Sequence, residues 1–140
     1  MKVIILGCGR MGSYLALQLD REGHDVTVID RTSDSFVRLG SDFHGKMVLG
    51  TGIDEDILRR AGAESADAFI ALSNGDNTNA MAAEIAKLVF KIPHVVARLY
   101  DPVREDTYHT LGLMETVCPT VMGAVRIHEI ILGNGQSARH

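Results

Sequence analysis

Short, unbroken apolar runs alternate along this chain with longer stretches in which apolar residues recur every third or fourth position. An unbroken run is the mark of a strand covered on both faces, and the wider spacing is that of a helix with one face on a core. The runs fall at 3–6, 26–29, 46–49, 68–72, 94–99 and 115–118. Between and after them the pattern predicts helices over 11–22, 34–39, 54–60, 77–91, 103–111 and 119–132. Strands and helices in alternation predict a Rossmann-like, doubly wound α/β fold, with one six-stranded parallel sheet in a single domain over 1–132. Residues 133–140 read as a tail.

Local punctuation agrees with this division. Gly23 stops the first helix, Thr32 or Ser33 caps the second, and Asp54 caps the third, which Gly62 closes. Pro93 ends the fourth, Gly112 the fifth, and Pro119 opens the last. In the first helix Met11, Leu15 and Leu19, with Ala16 beside them, form the apolar face. In the fourth that face is Met81, Ile85, Leu88 and Val89. The last helix carries Val121, Val125, Ile127, Ile130, Ile131 and Leu132, which surround more of it than one sheet can cover. Two readings stand: a helix buried within the chain, or a face that docks on a second chain.

The first strand leads directly into Gly7-Cys8-Gly9-Arg10-Met11-Gly12, and the second ends on Asp30. Gly7 lets the chain leave the strand in a tight turn, Gly9 lets a diphosphate approach the backbone, and Gly12 lets the helix pack on the strand. The helix that starts near Arg10 and Met11 aims free N–H groups and its positive dipole end at the anion. Asp30 lies 18 positions after Gly12, close to the spacing of about 20 expected of the acid that holds an adenosine ribose. An acceptor-only carboxylate takes hydrogen bonds from ribose hydroxyls and repels a 2′-phosphate, which favours NAD, ATP, ADP or AMP over NADP. Arg31, beside it, can offset that repulsion or lie over the adenine face.

In a doubly wound sheet, ligands gather at the carboxyl ends of the strands. After the third strand come Gly50, Thr51 and Gly52, compact enough to lie against an adenine ring. After the fourth come Ser73, Asn74, Asp76 and, opening the next helix, Asn79. These suit ribose or phosphate contacts, and equally turn formation and capping. Arg98 lies within an otherwise apolar strand, where an unpaired charge is costly. Its partner is a carboxylate, such as Asp76 or Asp101, or a bound phosphate.

Composition narrows the class. The chain has 140 residues, 46% hydrophobic and 23% charged, in keeping with one soluble globular domain. A net charge of −4 and no basic run argue against nucleic acid as partner. The two cysteines, Cys8 and Cys118, stand far apart and read as free thiols in a reducing cytoplasm. The six histidines show no metal-ligand spacing. The apolar start is too short for a signal peptide, and no stretch nears the ~20 apolar residues of a membrane span.

Over residues 1 to about 132 the chain resembles the N-terminal nucleotide-binding domain of bacterial potassium-transport regulators, the Trk/Ktr regulatory (KTN) or regulator-of-potassium-conductance (RCK) domain. The likeness rests on the loop at 7–12, on Val28-Ile29-Asp30-Arg31, and on the segment from Asp54 to Gly62. It extends to Ala66-Asp67-Ala68-Phe69-Ile70-Ala71-Leu72, Asp76-Asn77-Thr78-Asn79, Val96-Ala97-Arg98 and Asp101-Pro102. The resemblance implies a non-catalytic cytoplasmic subunit at the inner face of the membrane. It would bind ATP, ADP, AMP or NAD(H) and control an integral-membrane potassium transporter or channel. It places the ribose contact on Asp30, the phosphate-contacting arginine on Arg98, and the loop amides at Gly9 to Gly12. It also implies a homodimer or larger ring, paired through late helices. Two departures stand out. Thr51 takes the place of the usual aspartate, which loosens the expected contact to the adenine edge. The chain also ends before the second, C-terminal ligand domain of many members, which a separate chain would then supply.

The rival class is a small NAD-dependent oxidoreductase, or a dinucleotide-binding fragment that takes its catalytic groups from a partner. Such enzymes add a substrate domain that brings an acid or base, and no His–Asp, Lys–Asp or Tyr–Lys pair stands at the expected strand ends. The sensor reading is therefore the stronger one, since the fold alone assigns no function.

Overall fold

The computed structural model describes residues 1–133. Apart from Gly133, the segment expected to be a tail lies outside them. Six parallel strands form one sheet: β1 (Lys2–Leu6), β2 (Asp25–Asp30), β3 (Lys46–Leu49), β4 (Ala68–Ala71), β5 (His94–Arg98) and β6 (Glu115–Val117). Their spatial order is β3-β2-β1-β4-β5-β6. The chain winds outward from β1 to one edge and then, from β4, to the other. The expected doubly wound sheet is present, and its strand order reverses between β1 and β4.

Unbroken apolar runs make sense once both faces are seen to be covered. On β1, Val3 and Ile5 join Val26, Val28 and Ala16 in one core, while Ile4 and Leu6 join Phe69, Val95 and Leu58 in the other. Alternation along each strand thus feeds two separate interiors. The register sets Ile5 between Val28 and Ile70 at the sheet's centre.

Among the described residues there are five α-helices, four of them between strands and the fifth after the last strand: α1 (Arg10–Arg21), α2 (Glu55–Arg60), α3 (Asp76–Leu88), α4 (Pro102–Leu111) and α5 (Pro119–Leu132). The short helix expected at 34–39 is a 3-10 helix over Ser33–Leu39. Thr32 stands at its N-cap without a side-chain hydrogen bond, so neither expected cap is made by a hydroxyl there. Asp54 caps α2 as expected, accepting from the Asp56 amide at 2.9 Å. Asp101 does the same for α4, ahead of Pro102 in the first turn.

Of the apolar face expected for α3, Ile85 packs against the core, and the other three positions are a correction. Ala80, Ala82, Ala83 and Ala86 are buried together with Asn79, whereas Met81, Leu88 and Val89 are about half exposed. Small side chains let the helix lie close on β4 and β5, and the larger residues are turned outward. The helix also stops at Leu88 rather than at residue 91, because the Ile92 amide folds back onto the Ala86 carbonyl and Lys91 takes a left-handed φ of 56°. In α1 the expected Leu15, Ala16 and Leu19 do face the core, with Gly12 and Ser13 buried beside them, and only Met11 is turned outward.

On α5, Val125, Ile127, Ile130, Ile131 and Leu132 are between 51% and 73% exposed. Within the described residues this helix therefore does not bury its apolar surface. No helix among those residues is long and apolar enough to cross a membrane.

Candidate functional site

The reversal of strand order leaves a crevice at the carboxyl ends of β1 and β4. A cleft of about 860 Å³ occupies it. One wall is built from the glycine loop and the segment after β2. The other is built from the turns after β4 and β5 and from Pro119, the first residue of α5.

The loop's three glycines stand in unequal relations to the fold. Gly7 has φ +103°, and a Cβ there would lie 2.6 Å from the Leu72 carbonyl oxygen. A Cβ on Gly12 would lie 1.9 Å from the Gly7 oxygen. Both positions exclude any larger residue. Gly9 differs: its Cβ would meet no protein atom within 4 Å, and its φ of −82° is open to any residue. The bare backbone at Gly9 faces the cleft.

Asp30 is tied into this loop. Its Oδ2 accepts from the Cys8 amide at 2.7 Å and its Oδ1 from the Thr32 amide at 2.9 Å. The carboxylate holds two chain segments and still borders the cleft. Burial, with the Asp30 charge adding to it and Arg38 opposing, pushes the Cys8 thiol up to about 11. Cys8 is therefore a protonated core thiol, and both cysteines are free.

Arg98 faces the cleft from the opposite wall. Its Nη2 donates to the carbonyls of Leu72 at 2.7 Å and Ser73 at 3.2 Å. Its Cζ lies 4.6 Å from the Tyr100 ring centroid, a cation–π distance. Among the described residues no carboxylate pairs with it, and its buried Nε has no partner. The carboxylate partner expected in Asp76 or Asp101 is thus not found. Asp76 accepts instead from the Tyr100 and Asp101 amides at 2.7 and 3.0 Å, and Asp101 lies 3.8 Å from Arg104. Burial pulls the Arg98 guanidinium below its ordinary pKa, with Tyr100 and Asp76 opposing.

Of the residues singled out in the sequence, Gly7, Gly9, Arg10, Met11, Asp30, Arg31, Thr51, Ser73, Asn74 and Arg98 meet at the cleft. Gly12, Gly52, Asp76 and Asn79 stand behind its walls. Gly52 is pressed against Leu6, whose Cδ2 would lie 2.4 Å from an added Cβ. Asn79 is fully buried. Its oxygen accepts from the Ser73 amide and hydroxyl at 2.9 and 2.6 Å. Its amide group donates to the carbonyls of Ser73 and Arg98 at 3.0 and 2.8 Å. It is a strut that joins the end of β4 to the end of β5.

The cleft also contains Ser35, Arg38 and Tyr100, which the sequence did not bring forward, and Thr32, Thr78 and Pro119, which it brought forward only as a cap, a motif residue and a helix start. The rule that ligands gather at strand ends covers the segment after β2 as well. There the helical spacing drew attention to capping and away from the side chains on the open face. No group of three or more metal-ligating side chains is found among the described residues.

Fold and cleft together define a doubly wound α/β domain whose open crevice lies at the strand-order switch. The chain belongs to the TrkA-N domain family, whose model matches residues 3–119. It is 52% identical over 113 residues to a Streptomyces coelicolor protein named Trk system potassium uptake protein TrkA, a match covering 81% of this chain and 51% of that one. A Vibrio alginolyticus protein of the same name is 38% identical over 102 residues, covering 73% of this chain and 22% of its own. The chain spans about half, or less, of the length of these relatives. Among solved structures, the GsuK channel bound to NAD is 26% identical with a TM-score of 0.78, covering 98% of this chain and 24% of that one. The Shewanella denitrificans Kef C-terminal domain, in AMP-bound form, shares the fold with a TM-score of 0.81 at 24% identity, covering 95% of this chain and 80% of that one.

Proposed function

We propose that this chain is a non-catalytic regulatory module that binds an adenine nucleotide (ATP, ADP, AMP or NAD(H)) in the cleft and controls a membrane potassium transporter or channel. The observation that carries the reading is Gly9. Gly7 and Gly12 are required by the protein's own backbone, but nothing in the fold requires Gly9 to lack a side chain. The space in front of it, at the N-terminus of α1, suits the diphosphate of a ligand. Asp30 then takes the ribose hydroxyls through lone pairs left over from its two amide bonds. Arg98, which has no carboxylate partner among the described residues, takes a phosphate from the far wall. The names of the curated relatives support potassium uptake as the context, and GsuK bound to NAD and to ADP supports the ligand class.

Control requires that nucleotides bind two arrangements of the module unequally. Ligands of different phosphate length would set the loops after β1, β4 and β5 differently. The exposed apolar face of α5 would carry that difference to a second copy, in a dimer or larger ring at the inner face of the membrane.

Calorimetric titration with AMP, ADP, ATP and NADH tests the binding. Asp30→Ala is expected to weaken it by about 1–3 kcal/mol through loss of a charge-assisted contact; equal affinity in the variant rejects the ribose role. NADH incubated with carbonyl substrates is expected to keep its absorbance at the nicotinamide band. Steady loss of that absorbance identifies an oxidoreductase instead.

A further inference from the structure

We propose that the ribose end of the cleft accepts a 2′-phosphate, with Arg38 and Arg31 as its specificity-determining residues. On this view 2′-phosphorylated adenine dinucleotides bind as well as their unphosphorylated counterparts. The inference rests on the nucleotide reading above and runs against the simplest view of Asp30, in which a free carboxylate rejects the extra phosphate.

Asp30 is not a free carboxylate. Each of its oxygens already receives a backbone N–H, from Cys8 and from Thr32. Two amide dipoles thus offset its charge on the protein side. Arg38 comes within one residue of it. Its Nη1 donates to the carbonyl of Cys8 at 3.4 Å, the same residue whose amide holds Asp30. Neither Arg38 nor Arg31 forms an ion pair with Asp30 among the described residues. Both guanidinium charges therefore stay available on the cleft wall. A 3.4 Å bond to a neutral carbonyl from an exposed side chain is weak, and a phosphate dianion is a far better acceptor.

The charge along the cleft points the same way. Its lining carries four arginines (Arg10, Arg31, Arg38 and Arg98) and one carboxylate, Asp30, although the chain as a whole is acidic. Arg10 opens α1 beside Gly9 and Arg98 stands across the cleft, so these two serve the diphosphate. Arg31 and Arg38 lie on the β2 side, with the hydroxyls of Thr32 and Ser35 on the same wall. Two cations and two hydroxyls around one amide-bound carboxylate form a site for a second anionic group next to the ribose.

The test is a set of titrations of the whole chain with NADH, NADPH, AMP and adenosine 2′,5′-bisphosphate at low and at physiological salt. NADPH is expected to bind within about threefold of NADH, and the bisphosphate at least as tightly as AMP. Arg38→Ala is expected to shift the NADPH-to-NADH ratio of dissociation constants by about tenfold against NADPH, and Arg38→Lys by less. Loss of the bond to Cys8 alone would weaken both ligands alike, so the ratio separates recognition from loop support. A wild-type preference for NADH of about tenfold or more overturns the proposal. So does a ratio left unmoved by both Arg38→Ala and Arg31→Ala. Failure of all four compounds to bind would instead remove the nucleotide reading on which it rests.

Discussion

Gly9 and Gly12 lie three residues apart and stand in different surroundings, one before the open cleft and one against the loop's own backbone. An added methyl at position 12 would drive into the Gly7 carbonyl oxygen. Gly12→Ala is expected to cost about 3 kcal/mol or more in urea unfolding, at the upper end of overpacking effects. Gly9→Ala should leave stability within about 0.5 kcal/mol, as for an unobstructed surface site, while ADP affinity falls about tenfold or more. Equal stability losses for the two would refute the distinction. Cys8 offers a pH-dependent counterpart. Its folded pKa of about 11 lies above the ordinary 9.0, so the native state keeps a proton that the unfolded chain gives up. The associated stability is complete below pH 9 and is lost as pH rises toward 11. Denaturation of wild type and Cys8→Ala across that window should show the steeper alkaline decline in wild type. At this scale the sequence was informative wherever a residue's chemistry was unusual for its place, as with Asp30 at a strand end and Arg98 in an apolar run. It was silent on partners. Asp76 binds amides rather than Arg98, and Asn79 is a strut rather than part of the wall, because short polar side chains near a turn serve either role equally well.

Strands were legible as elements because burial on both faces leaves few polar interruptions, and all six fall where the apolar runs place them, their bounds agreeing within one residue. Helix faces were less so. Spacing alone chose Met81, Ile85, Leu88 and Val89 for the core side of α3; Ile85 does pack there, but close approach to β4 and β5 selects alanine at the other buried positions. The tightness of that contact gives a direct test. Ala83→Leu, at a fully buried position, is expected to destabilise by about 1–3 kcal/mol through overpacking. Met81→Lys, at a half-exposed one, should change stability by no more than about 0.5 kcal/mol. Thermal unfolding of the two variants decides the matter, and a larger loss for Met81→Lys would restore the face read from spacing.

For the whole molecule, the exposed apolar residues of α5 set the expected behaviour in solution. Ile127, Ile130 and Ile131 are each more than half exposed, and scattered side chains of that size are ordinary while a continuous helical face is not. If a second copy covers them, Ile130→Glu combined with Ile131→Glu should lower the sedimentation mass toward that of one chain, with the circular dichroism of the fold retained. A wild-type chain that sediments as a monomer at high concentration would remove that role. Sequence could flag this helix as too apolar for one sheet, yet it could not say where the surplus goes, since burial within a chain and between chains leaves the same pattern.

The strand order has a consequence for how the cleft comes into being. β1, β2 and β3 can pair once residue 49 has been made, but the far wall needs β4, β5 and the first residue of α5 at position 119. A nascent chain leaving the ribosome therefore lacks the complete cleft until residue 119 has emerged. A ligand of the cleft would then stabilise the folded domain and take no part in the earlier steps of its assembly.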